Sequence, residues 1–156
     1  MTGYYHAPDR AALLHQRINA WLGTPFRPHA GVCQAGADCL HLALALDREC
    51  GLDLQVPVPE YGMFDGACRA DDGPIMAWLR ASPRFSQTWA DDHPWPPPLA
   101  LGDHLCLRIG RSVHHLGVMA DARRFVHSLH RYGVILSSIT DTTFRKRLAA
   151  VFRPLA

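Results

Sequence analysis

The chain has 156 residues, 48% of them apolar and 19% charged, with a formal net charge of +2. That length suits one domain with a real core, so residues 1–156 are read as a single domain, and the apolar content excludes a disordered chain. The small net charge, with basic residues scattered apart from Arg145–Lys146–Arg147, argues against a nucleic-acid partner, and no apolar run approaches the roughly 20 residues of a membrane span.

Residues 9–22 predict an amphipathic helix. Asp9 is its candidate cap, Leu13, Leu14, Ile18, Trp21 and Leu22 recur near helical period, and Gly23 and Pro25 end it. Residues 23–37, "GTPFRPHAGVCQAGA", read as a Gly/Pro-rich loop. A second helix is expected from Asp38. Cys39, Leu42, Ala43, Leu46 and Cys50 fall on one continuous face, and Gly51 is the expected stop. Residues 55–64 are Pro-rich and irregular. Residues 73–82 predict a short helix with Pro74 in its first turn. "DDHPWPPPLALGD" reads as an ordered connection, since its prolines suit neither a helix interior nor a central strand. After Gly102, "HLCLRIG", "VHHLGVM", "RFVHSL" and "YGVILSS" predict short strands, and "LAAVFRPL" a closing one. Helices first and an antiparallel sheet second make an α+β fold, with the N-terminal helices packed on the sheet.

Two features carry chemistry. Five cysteines, an odd number with no CxxC pair, fit reduced thiols better than a disulfide framework, and the N-terminus does not read as a signal peptide, so a protein made in the cytoplasm is expected. Among the thiols Cys39 sits in the first turn of a helix, where free amides and the helix dipole favour a thiolate. It also lies on the apolar face, where a cysteine often simply packs. The second feature is a histidine pair. A hairpin turning at Ala120–Asp121–Ala122 would pair residue 119 with 123 and 117 with 125. His115 would then lie directly opposite His127, with Cβ atoms about 4.5–5.5 Å apart. Met119, Phe125 and Leu129 share that face, which should point inward. A two-residue turn would instead set His115 opposite Ser128. His114 has the opposite parity and is expected to face out, as is His130. A zinc site on Cys39, His115 and His127 lacks the usual helical histidine spacing, and the pair supplies only two histidine ligands, so no metal or cofactor is expected.

Taken together, "WLGTPFRPHAG…GADCLHLALAL", "LALGDHLCLRIG" and "HLGVMADARRFVHS" resemble the NlpC/P60 cysteine peptidases, papain-like α+β proteins that cleave peptide stems of bacterial cell walls. The likeness runs from about Ala11 to Ser137. It implies that Cys39, following Asp38, is the nucleophile, that His115 in "HLGV" is the base, and that His127 in "VHS" orients it. The "DCL" helix start and the later "VPVPEYGMF" are most similar to phage-tail and gene-transfer-agent members, which implies phage-tail partners and carriage to the cell envelope. Three positions depart from the family pattern and bear on the substrate. Phe26 stands where many members have tyrosine, Leu40 where serine is common and His41 where glycine is usual. With Asp38 these are the candidate substrate-binding residues, and the implied substrate is a peptidoglycan peptide cut next to a D-glutamyl residue, its amine held by Asp38. The competing readings are a structural tail-assembly protein with an idle site, and an amidase or acyltransferase using the same residues.

Overall fold

The computed structural model describes residues 2–55, 57–60 and 72–156. The expectation for 55–64 falls partly outside them, and Cys68 lies wholly outside. Gln55 and residues 57–60 have no regular structure. After a single 3-10 turn, Tyr4–His6, come α1 (Pro8–Trp21), a two-stranded ribbon of β1 (Gly31–Val32) and β2 (Gly36–Ala37), and the helices α2 (Cys39–Glu49) and α3 (Pro74–Ala81). The second half contains β3 (Phe85–Ala90), β4 (His104–Ile109), β5 (Ser112–Met119), β6 (Arg124–Leu129), β7 (Gly133–Ser138), α4 (Thr142–Arg147) and β8 (Leu148–Pro154). The fold is α+β, as expected.

Ala7, not Asp9, caps α1. Pro8 takes the first helical position, where its missing N–H has no intrahelical partner to lose, and Asp9 lies in the first turn. Helix α2 starts where the sequence placed it: Asp38 is the cap residue, accepting the His41 amide, and Gly51 follows at φ +85°. Its residues from Leu42 to Asp47 are all buried, so α2 is a central helix rather than a surface one.

The large sheet has six strands in the order β3-β8-β4-β5-β6-β7, and every pairing is antiparallel. Strand β8, expected to close the sheet, instead enters its interior between β3 and β4. Strand β3 was not anticipated. Its two large apolar residues, Phe85 and Trp89, are four apart with a bulge between them, and it is an edge strand whose partner is remote in sequence. Helix α4 was read only as a basic surface segment. It is exposed, but Asp141 caps it and its Phe144 covers the sheet.

Both faces of the sheet are covered. Cys106, Leu116, Val118, Val126 and Val134 pack with the helices α1–α3. Leu105, Leu107, Met119, Phe125 and Val151 form a second core under Trp95, Leu99 and Phe144, which come from the Pro-rich connection and α4.

One buried ion pair ties α2 to the sheet. His104 Nε2 lies 2.9 Å from Asp47 Oδ2, with both side chains 1% exposed. Tyr5 donates to the other Asp47 oxygen at 2.7 Å. His104 Nδ1 faces the Gly102 carbonyl at 3.0 Å. Both ring nitrogens thus face oxygen acceptors, which favour the doubly protonated ring. Burial opposes that charge, but the charge and hydrogen bonding of Asp47, with the Gly102 carbonyl, outweigh it and raise the His104 pKa. A raised folded-state pKa gives stability that is fully present below the unfolded value, about 6.5, and is lost as pH rises through the folded value. Replacing His104 with alanine strands a buried carboxylate and should cost about 3–5 kcal/mol. In urea titrations across pH, the gap between wild type and His104→Ala should be widest below about pH 6.5 and narrow at higher pH.

Candidate active site

The start of α2 meets the sheet where β5 and β6 part. These strands pair at Val118–Val126 and Met119–Phe125, beside their hairpin. Helix α2 packs against both. A pocket of about 140 Å³ opens there. Cys39, Asp38, His114 and His115 line it, with Phe26, Pro28, Ile109 and Leu129 as apolar wall and His29 and His130 also on its boundary.

Asp38 builds the pocket's floor. Its Oδ1 accepts the His41 amide at 2.8 Å and meets His41 Nδ1 at 2.8 Å, and its Oδ2 accepts the His29 amide at 2.7 Å. One carboxylate therefore caps α2 and ties the 23–37 loop to it. The ribbon β1–β2 gives that loop an order the sequence reading missed, and Phe26 bridges to Ala37 beside it.

Cys39 is the first residue of α2 and is 7% exposed. The sequence led us to expect a helix start to favour its thiolate. Burial decides otherwise. It pushes the thiol up to about 12, against hydrogen bonding from the backbone of Leu116, Leu40 and Cys39 itself, and the nearby Asp38 charge adds to the rise.

His115 and His127 meet, though not in the register expected. Met119 pairs with Phe125 rather than with residue 123, because the turn is two residues longer. Extending that register sets His127 opposite Gly117 and diagonal to His115. Parity is unchanged by a shift of two, so the rings still share a face: His115 Nε2 lies 2.8 Å from His127 Nδ1, with ring centroids 5.1 Å apart. His127 Nε2 in turn lies 2.8 Å from Ser137 Oγ. Phe125 and Phe144 pack on the His127 ring at 4.5 and 5.3 Å. Gly117 leaves room for this, since a Cβ there would sit 2.5 Å from Phe125 Cδ2. Burial lowers the pKa of His115 to about 4, helped by His114 and Arg147, and burial with His115 lowers that of His127 to about 3. Both rings are neutral at pH 7.

His114 does not face out. The β4–β5 register passes from Leu107–His115 to Arg108–Val113, which leaves His114 as the extra residue of a bulge. A bulge suspends strand alternation, so His114 is buried at 6% exposure and lines the pocket beside His115. His130 is exposed at the rim, its ring edge-on to Phe26 at 5.4 Å.

No protein-family model matches the chain, and no curated protein matches it. Solved structures do. An NLP/P60-family protein similar to a lipoprotein, from Staphylococcus aureus subsp. aureus Mu50, superposes with a TM-score of 0.68 at 13% identity, over 100% of this chain and 45% of that one. An NlpC/P60 family protein from Bacillus cereus ATCC 10987 superposes with a TM-score of 0.64 at 19% identity, over 94% of this chain and 40% of that one. The chain has the NlpC/P60 fold. It spans less than half the length of either structure.

On this NlpC/P60 scaffold the sequence-expected residues divide into two groups. Cys39, His115, Asp38 and Phe26 line one pocket, with His127 directly behind His115. Leu40 does not reach it: its side chain is wholly buried in the core. His41 is not a lining residue either, because its ring is drawn onto Asp38. His29, His114 and Ser137 were missed as site residues. The bulge and the loop conformation that bring in the first two have no local sequence signal, whereas the diagonal from His127 to Ser137 follows once the β6–β7 register is known. Among the described residues no group of three or more His, Cys, Asp or Glu is placed to hold a metal ion, and no helix is long and apolar enough to cross a membrane.

A buried thiol raised to about 12 sets a labelling order. Cys33 is exposed, so iodoacetamide should reach Cys33 before Cys39 in the folded protein at pH 7–8. The Cys39 rate should keep climbing above pH 9. Mass mapping of the alkylated peptides measures both. A Cys39 rate already at plateau near pH 7 would show a thiolate present at rest.

Proposed function

We propose that the chain is a cysteine peptidase or amidase acting on bacterial cell-wall peptides through acyl transfer to Cys39. The supporting observation is the convergence, on an NlpC/P60 fold, of a helix-start cysteine and a neutral histidine in one pocket, with a second histidine on the first one's far nitrogen. His127 occupies His115 Nε2, which leaves His115 Nδ1 for the thiol. In the proposed reaction Nδ1 takes the Sγ proton as sulfur bonds to the amide carbonyl carbon. The backbone N–H of Cys39, at the helix start, stabilises the oxyanion. The C–N bond then breaks and the amine leaves with the proton from His115. Water, deprotonated by the same nitrogen, cleaves the thioester and restores the thiol.

The proposed substrate is a stem peptide cut next to a D-glutamyl residue. That choice and the phage-tail setting both rest on the sequence resemblance. Amine recognition by Asp38 has less support, because both of its oxygens already hold the helix and the loop together. A structural tail component with an idle site is the second reading, favoured by the buried thiol and by Leu40 and His41 in place of the usual serine and glycine.

Digestion of purified muropeptides, with the cut bond identified by mass spectrometry, separates the two. Wild type should release a defined product, Cys39→Ala none, and His115→Ala should lose at least about 10²-fold in rate. Equal inertness of wild type and Cys39→Ala would support the idle site. The pH profile checks the neutral resting pair. A lowered histidine pKa means that the base form persists on acidification until about pH 4, and a raised thiol pKa means that the proton to be transferred is retained up to about 12. The kcat/KM should therefore be flat from pH 6 to 9, with limbs outside that window.

A further inference from the structure

Ser137 stands at the end of the histidine chain, and nothing in the function proposed above uses it. On β7 it pairs with Phe125, while His127 pairs with Ile135, so Ser137 is the diagonal neighbour of His127 on the same face. The three groups form one line: His115 Nε2 to His127 Nδ1 at 2.8 Å, and His127 Nε2 to Ser137 Oγ at 2.8 Å. His127 is fully buried, and Ser137 is half-buried on the outermost strand.

Two neutral imidazoles in N···N contact share one proton, so the line can run in either of two directions. In one, His115 Nε2–H donates to His127 Nδ1, and His127 Nε2–H donates to Ser137 Oγ. His115 Nδ1 then keeps its lone pair. In the other, the Ser137 hydroxyl donates to His127 Nε2, and His127 Nδ1–H donates to His115 Nε2. His115 Nδ1 then carries a hydrogen and is no base. The end group decides between them. Ser137 is half-buried, so solvent can take its hydroxyl hydrogen and leave the oxygen as an acceptor towards His127, which selects the first direction.

We propose that Ser137 is a positioning residue: by accepting the His127 Nε2–H it fixes the tautomers of both histidines and leaves His115 Nδ1 unprotonated towards Cys39. The tautomers belong to the resting protein. Only their consequence for rate rests on the thiol-hydrolase reading.

The test uses a near-isosteric pair, Ser137→Thr and Ser137→Val, both suited to an edge strand. Thr keeps the hydroxyl and Val does not. Ring ¹⁵N shifts of His115 and His127 in the full chain at pH 7 read the tautomers directly. Wild type and Ser137→Thr should both show Nε2–H at the two rings. In Ser137→Val neither His127 tautomer finds its partner at Nε2, so the preference that the hydroxyl sets is lost and Nδ1–H should appear at both rings. If muropeptides are cleaved, kcat should fall in proportion to the remaining Nε2–H fraction with KM little changed, and Thr should restore it. Nδ1–H on His115 in the wild type overturns the proposal even if the Val variant does not fold. Unchanged tautomers in a folded Val variant overturn it too. The expected tautomers in a wild type that cleaves nothing would instead count against the hydrolase reading and leave the relay standing.

Discussion

A helix buried on nearly every side must have its polar ends satisfied from within the protein, and α2 is such a helix. Asp38 meets that need at the N-terminus; at the C-terminus, whose unpaired groups are carbonyls, the Gly51 and Leu52 amides and the Tyr4 hydroxyl donate to them. Asp38 also holds the loop bearing Phe26 and His29 against the helix. Asp47, near the other end, faces the His104 ring and accepts the Tyr5 hydroxyl, joining the helix to β4 and to the N-terminal turn. Between them the two aspartates set the axial position of α2, and with it the place where Cys39 meets the parted strands β5 and β6.

The same burial that orders α2 shapes its chemistry. A helix start favours negative charge by a modest amount that falls off within the first turn. Removing a thiol from water opposes the thiolate more strongly, and for Cys39 the second effect wins. The histidines obey the same rule with the opposite sign, since burial withholds a proton from both. The resting site is therefore an uncharged thiol beside an uncharged base. Charge would arise only when the proton moves, in a pocket whose walls are largely apolar and where the preformed donors of the helix start act with little solvent screening.

The sheet contributes by departing from regularity in two places. The bulge at His114 turns two successive side chains into the pocket. The parting of β5 and β6 lets a cysteine from the helix-covered side approach a histidine whose partners belong to the other core. Phe125, Phe144 and the bare Cα of Gly117 then hold the His127 ring in place behind it.

The sequence by itself determined the helix periodicities, the start of α2 at Asp38, the strands from β4 to β8, the α+β class, and the shared face of His115 and His127. These are local or parity properties: a helix start is read within a turn, and a register error of two leaves every side chain on its face. Tertiary structure alone decided the insertion of β8 between β3 and β4, the inward turn of His114, the full burial of Leu40, and the neutral resting state of Cys39. Each depends on what lies opposite a residue across the fold. Desolvation is set by neighbours remote in sequence, a bulge is defined only against the partner strand, and strand order is a choice among pairings that the local pattern leaves equivalent.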